Sequence, residues 1–192
     1  MFDSNKLINE YLEESLKLAN DQRGLSNIIN EVSLECIKTI EAGGKLIFMG
    51  NGGSASDSLH LAAELIGRFQ EERNALPALS ISSNVSVITA LANDYGYENI
   101  FTKQIEGIAK ENDLIIGIST SGKSENILKG LKYAKDKKIK TVGLTGENLN
   151  KMTEYCDYVI SVPSSKPALI QQSHITIGQL LCLIIEDYFF NK

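Results

Sequence analysis

Two segments rich in glycine and hydroxyl residues carry the groups needed to hold a phosphorylated, polyhydroxylated small molecule. The first, Gly50-Asn51-Gly52-Gly53-Ser54-Ala55-Ser56, follows the apolar run from Lys45 to Met49. The second, Ser119-Thr120-Ser121-Gly122-Lys123-Ser124, follows Asp113 to Ile118. Each reads as a buried strand that ends in a tight turn and opens a helix. Glycine lets the main chain approach an anion, helix N-terminal amides point at it, and hydroxyls add hydrogen bonds. Helix capping accounts for Ser124. It leaves Ser119, Thr120 and Ser121 unexplained, and such a nest of amides and hydroxyls cradles phosphate without a metal. Lys123 adds a cation there, or is simply a solvated surface residue.

His60 and Glu64 stand four apart on the helix opened by the first segment, so they share a face. The pair supplies two metal ligands, a ligand and a general base, or only a surface hydrogen bond. Arg68, one further turn along, extends that face and is placed to pair with Glu64 or to reach a substrate. Asn93-Asp94 reads as a turn after the second strand, and both residue types also suit sugar hydroxyls. In the last helix Gln171 and Gln179 fall within about 80° of each other, with His174 on the other side of Gln171. The apolar remainder of that helix, from Ile175 to Ile184, points to helix-on-helix packing, including packing across a subunit boundary. Polar residues embedded in it need partners.

Several function classes are disfavoured. Gly50-Asn51-Gly52-Gly53-Ser54-Ala55 fits the G-x-G-x-x-A dinucleotide fingerprint, but the second strand ends Leu79 to Asn84 without the acidic residue that holds a ribose. Glu71 and Glu72 have the right distance yet precede that strand. There is no Walker loop. A net charge of −5 argues against non-specific nucleic-acid binding. The three cysteines, Cys36, Cys156 and Cys182, are too few and too scattered for a disulfide framework or a zinc finger, and read as buried thiols. No stretch approaches the roughly 20 apolar residues that span a bilayer, and the N-terminus lacks the pattern of a secretory signal, so the cytoplasm is the expected location.

Periodicity outlines the helices and strands on which these residues sit. A chain of 192 residues reads as a single domain over 1–192, with residues 1–43 as a helical extension packing on the core. Helices are expected from Ser4 to Asn20, with Leu7, Tyr11, Leu12, Leu16 and Leu18 spaced for an apolar face, and from Leu25 to Ala42, the second ended by Gly43-Gly44. Strands begin near Lys45, Ala78, Asp113, Lys140 and Asp157. Between them lie helices from Ser54 to Phe69, Val85 to Leu91 with Asn99 to Lys110, Ser124 to Lys137, and a short one near Asn148. A long helix from Pro167 to Phe190 closes the chain. The alternation predicts an α/β fold with a doubly wound, five-stranded parallel sheet, an N-terminal helical pair and a long C-terminal helix. Both Ser/Gly loops then fall at strand carboxyl ends and share one crevice.

Taken together, these residues resemble the sugar isomerase (SIS) domain family, a flavodoxin-like fold, and within it the phosphoheptose isomerases. The likeness rests on Gly50 to Ala55, Asp57, His60…Glu64…Arg68, Asn93-Asp94-Tyr95-Gly96, Ile118 to Ser124, Leu144-Thr145-Gly146 and Ile170-Gln171…His174. It implies a homotetramer with sites at subunit interfaces. It also implies an isomerase that converts sedoheptulose 7-phosphate to the heptose 7-phosphate used for surface polysaccharides. Ser119, Thr120, Ser121 and Ser124 would hold the phosphate. Asn51, Gly52, Gly53, Ser54, Arg68, Asn93, Asp94 and Gln171 would line the substrate site. His60, Glu64, Gln171 and Gln179 would match zinc-binding positions, with Glu64 and Gln179 at the catalytic acid/base positions. This sequence departs from the family at Gln179, where the family usually carries a histidine. It departs also at Ala168, Leu169 and Gln172. An amide neither titrates near neutral pH nor binds zinc well. The rival reading is therefore a sugar-phosphate-binding SIS module without catalysis, such as a replication-initiator-binding regulator.

Overall fold

The computed structural model describes residues 2–147 and 151–191. Two helices lead, α1 (Ser4–Asp21) and α2 (Ser26–Glu41), joined by a 3-10 turn at Gln22–Leu25. Strand and helix then alternate: β1 (Leu46–Gly50), α3 (Gly53–Ile66), β2 (Ala78–Ser80), α4 (Val85–Tyr95), α5 (Ile100–Ile108) and β3 (Leu114–Ile118). They continue as α6 (Glu125–Asp136), β4 (Lys140–Thr145), α7 (Met152–Tyr155), β5 (Tyr158–Ser161) and α8 (Pro167–Phe190). The short helix expected near Asn148 falls on residues 148–150, outside the described residues.

The sheet is parallel throughout, in the order β2-β1-β3-β4-β5. Side chains alternate between its faces, and the two faces carry separate cores. Leu46, Phe48, Leu114 and Ile116 pack with Val32 and Cys36 of α2, Leu61 and Leu65 of α3, and Ile177 and Leu181 of α8. Ile47, Met49 and Ile115 pack on the opposite side with Phe101 and Ile105 of α5 and Ile127 and Leu131 of α6. Burial on both faces explains why these strands read as unbroken apolar runs. All three cysteines are buried, free thiols.

Two sequence expectations need correction here. First, α8 is long and apolar enough, by length and composition, to cross a membrane. Its Leu169, Ile177, Leu181 and Ile185 are core residues, so that apolar length is spent against α2, α3 and the sheet. Second, the apolar face expected on α1 buries only Leu18, leaving Leu7, Tyr11, Leu12 and Leu16 exposed. Polar contacts hold α1 to the start of α8: Lys166 with Glu14 at 2.6 Å, Ser15 Oγ donating to Gln172 Oε1 at 3.2 Å, and the Gln22 amide donating to Ser173 Oγ at 2.8 Å.

Candidate active site

Strands β1 and β3 are neighbours, with Gly50 opposite Ile118. The chain leaves β1 for β2 on one side and returns to β3 on the other. The two loops therefore start side by side at the point where strand order reverses, where ligands of open α/β sheets bind. Each loop turns on a glycine of positive φ, Gly52 at 54° and Gly122 at 61°, a conformation that side chains with a Cβ rarely adopt. No acidic residue sits in the first turn of α3, so its N-terminal partial positive charge is left for a ligand.

In the second loop, Ser119 and Ser124 face each other with hydroxyls 3.1 Å apart. Ser124 stands at the N-cap position of α6 but makes no capping bond. Its hydroxyl turns into the loop instead, which corrects the capping reading. The Lys123 amide donates to Ser121 Oγ at 3.2 Å, and the Thr120 carbonyl accepts from Gly146 N–H at 3.1 Å. Lys123 is exposed.

Asn51 links the loops. Its amide forms a reciprocal pair with Asn126 on α6, both bonds 2.8 Å, and its Oδ1 also accepts from the Tyr97 hydroxyl at 2.9 Å. Neither Asn126 nor Tyr97 stands out in the sequence. The one signal was a polar residue beside the buried stripe Ile127, Leu131 and Ala134. Gly53 lies against Gln171: a Cβ there would come within 2.8 Å of Gln171 Nε2. The start of α8 therefore meets the start of α3, and the two helices run side by side, with Gly178 against Leu61 further along.

His60 Nε2 and Glu64 Oε1 are 2.8 Å apart on the open side of α3. Burial holds the nearby Asp57 carboxyl above the usual carboxylate range, an effect the His60 ring only partly offsets. Arg68 does not share this face. Helix α3 stops at Ile66, and Arg68 lies beyond it, 3.6 Å from Glu72. Asn93 and Asp94 are not in a turn; they form the last turn of α4, exposed, with Asn93 Nδ2 donating to Asp94 Oδ1 at 2.8 Å. The turn comes at Gly96, whose φ is 85°. Gln171 and Gln179 are half-buried, whereas His174 is fully buried. Neither His174 nitrogen makes a well-formed hydrogen bond, though the ring lies beside the Thr145 main chain. Burial lowers its pKa to about 4, so it stays neutral at pH 7.

Beyond α3 the chain is held by a buried ion pair that sequence reading also missed. Glu186 accepts the amides of Phe69, Gln70 and Glu71 at 2.7–2.9 Å and meets Arg73 Nε at 2.7 Å. Arg73 in turn donates to the Glu64 and Leu65 carbonyls at 2.8 Å, closing the end of the helix that carries Glu64. A carboxylate in an apolar helix was the signal.

A cavity of about 590 Å³ lies beside the second loop, lined by Gly122, Lys123, Glu125 and Lys129 among others. None of the loop hydroxyls lines it. Of the candidate site residues, Gly52, Gly53, His60, Arg68, Asn93, Asp94 and Ser121 are exposed, Asn51, Glu64, Thr120, Ser124, Gln171 and Gln179 are half-buried, and Ser54 and Ser119 are buried.

A family model described as the SIS domain matches residues 10–146. The chain is 47% identical over 161 residues to a phosphoheptose isomerase of a Nitratiruptor species, covering 84% of this chain and 86% of the relative. It is 41% identical over 193 residues to the phosphoheptose isomerase of Aneurinibacillus thermoaerophilus, covering 98% and 96%. The solved structure of a phosphoheptose isomerase from Francisella tularensis superposes with a TM-score of 0.93 at 34% identity, over 97% of this chain and all of that one.

Proposed function

From the premise that the chain belongs to the phosphoheptose isomerases of the SIS-domain family, we propose the chemistry of its site. It isomerises sedoheptulose 7-phosphate to D-glycero-D-manno-heptose 7-phosphate, supplying heptose for surface polysaccharide. One SIS domain spans residues 1–192, and a phosphorylated substrate suits a cytoplasmic location. The observation that carries the reading is the pairing of two glycine/hydroxyl loops at the β1–β3 switch point, with His60–Glu64 on the helix the first loop opens.

Ser119, Thr120, Ser121 and Ser124 hold the phosphate, helped by the loop amides. Asn51, Gly52, Gly53 and Ser54 line the sugar, joined by Gln171, which abuts Gly53. Arg68, Asn93 and Asp94 are open to solvent and reach substrate from the rim. Moving a carbonyl between C1 and C2 passes through an enediol. A carboxylate must carry the carbon proton from one carbon to the other, and Glu64 does so. His60, bonded to Glu64, orients it. Gln171 and Gln179 are neutral amides that hydrogen-bond the two oxygens, and the hydroxyl proton that must pass from one oxygen to the other is relayed by a water molecule in place of a titratable side chain.

Zinc is the family's expected cofactor, and the donor set here does not fit it. His60, Glu64, Gln171 and Gln179 supply one imidazole, one carboxylate and two amides, whereas zinc takes at least three ligands from Cys, His and carboxylates. No group of three or more such residues occurs among the described residues. The steps above therefore use the chain's own groups.

An oligomer with sites at subunit boundaries, a tetramer by the family pattern, completes the reading. Leu59 and Ile66 of α3 and Leu183 of α8 are exposed on the two helices that carry His60, Glu64 and Gln179. Large apolar side chains left open on both helices suit a surface covered by a second copy.

A coupled assay of sedoheptulose 7-phosphate isomerisation tests the proposal. Wild-type turnover, reduced at least about 100-fold by Glu64→Gln with substrate binding kept, is the expected result. Absence of wild-type turnover, with the sugar phosphate still raising the melting temperature, would make this a binding module.

A further inference from the structure

The orientation of the Asn51 amide is dictated from the main chain. A backbone N–H can only donate, and that of Ile127 reaches Asn126 Oδ1 at 3.0 Å, which identifies the oxygen of that amide. Asn126 Nδ2 must then face Asn51 Oδ1, and Asn51 Nδ2 must face Asn126 Oδ1, both at 2.8 Å. The Tyr97 hydroxyl adds a second donor to Asn51 Oδ1 at 2.9 Å. An amide oxygen accepts two hydrogen bonds and an amide nitrogen donates two. Asn51 Oδ1 is therefore filled, while Nδ2 keeps one N–H. Asn126 is buried at 3% exposure, so of the two amides only Asn51 is open to a ligand at the crevice.

Resting on the isomerase reading above, we infer that Asn126 and Tyr97 are positioning residues that lock Asn51 so that it offers the bound sugar one N–H donor and no acceptor. The group recognised is an acceptor oxygen of the sugar chain. A carbonyl oxygen that gains negative charge on the way to the enediol strengthens such a bond, because hydrogen bonds to charged acceptors are the stronger ones. The lock spans three elements: the first loop, the first turn of α6 and the 3-10 turn at Tyr97–Asn99. It thereby sets the sugar-facing donor against the phosphate-facing loop. A purely structural role would be the satisfaction of the buried Asn126 amide by its half-buried partner Asn51. That role predicts loss of stability, without coupling to substrate through Asn51.

A double-mutant cycle separates the two. Asn126→Asp still accepts from Ile127 and from Asn51 Nδ2, but cannot donate to Asn51 Oδ1. Tyr97→Phe removes one hydroxyl from an exposed ring. Binding of sedoheptulose 7-phosphate is measured by calorimetry, alongside kcat and KM, in the wild-type and Asn51→Ala backgrounds. The expected result is binding weakened about tenfold by Asn126→Asp and about threefold by Tyr97→Phe, with both effects absent when residue 51 is alanine. Equal weakening in both backgrounds, or none in either, overturns the inference. Because Tyr97→Phe leaves the core untouched, it decides the matter alone if Asn126→Asp does not fold. Wild-type turnover in the same assay tests the isomerase reading separately, since the cycle is read by binding.

Discussion

At the scale of single residues, the site is defined as much by Gln179 as by the groups it shares with the family pattern. On the proposed reading, a glutamine at this position supplies neither a titratable ring nor a zinc-type ligand, leaving His60 and Glu64 as the only such donors in the proposed set. Gln179→His restores a third. The expected outcome is zinc binding tightened by at least about tenfold, measured by competition with a chromophoric chelator, since a single additional ligand has effects of that order. Unchanged zinc affinity would show that Gln179 does not face His60 and Glu64. The residue types at Ser119, Thr120, Ser121, His60 and Glu64 suggested a candidate site in the sequence. Asn126 and Tyr97 did not, because their part depends on which atoms meet across 75 and 46 residues of chain.

At the scale of elements, α3 carries the proposed catalytic pair, and the chain beyond its far end is held by α8. Glu186 brings a carboxylate into the core. Burial alone would push its pKa up, but three main-chain amides and Arg73 outweigh that and hold it at about 2, below an ordinary value of 4.5. A carboxyl whose pKa is depressed by folding stabilises the fold above its unfolded pKa, and that contribution is lost as pH falls from about 4.5 to about 2. The difference corresponds to about 3 kcal/mol. In urea titrations at pH 5 and pH 3, the wild type should lose more stability than Glu186→Gln, which lacks this titration. Equal losses would mean that the carboxylate is not held as described. The same bonds explain why Arg68 leaves the face predicted for it. The amides of Phe69, Gln70 and Glu71 turn to Glu186, so the helix stops at Ile66.

At the scale of the whole molecule, exposed apolar surface gathers in two places. One is the face of α1 carrying Leu7, Ile8, Leu12 and Leu16, and the other is made by Leu59 and Ile66 of α3 and Leu183 of α8, on the helices that carry His60, Glu64 and Gln179. Both are covered if copies of the chain associate, and the second would then enclose a site that one chain leaves open. Leu183→Glu should shift sedimentation velocity toward the monomer and reduce isomerase turnover with it. A variant that stays assembled, or a dissociated chain that keeps full turnover, would show that this surface does not complete the site.

Strand alternation, helix periodicity and the two hydroxyl-rich loops follow from local preferences and from burial on both sheet faces. These local rules are enough for the fold class, the strand starts and the position of both loops at strand carboxyl ends. Tertiary structure alone decided what the polar side chains do. Ser124 bonds across its loop to Ser119 rather than capping α6, and Asn93 and Asp94 continue α4 until Gly96 breaks it. Arg73 and Glu186 meet across 113 residues. A polar group's partner is chosen by distance and direction in the folded chain, and residues far apart in sequence acquire these only when the sheet brings their elements together.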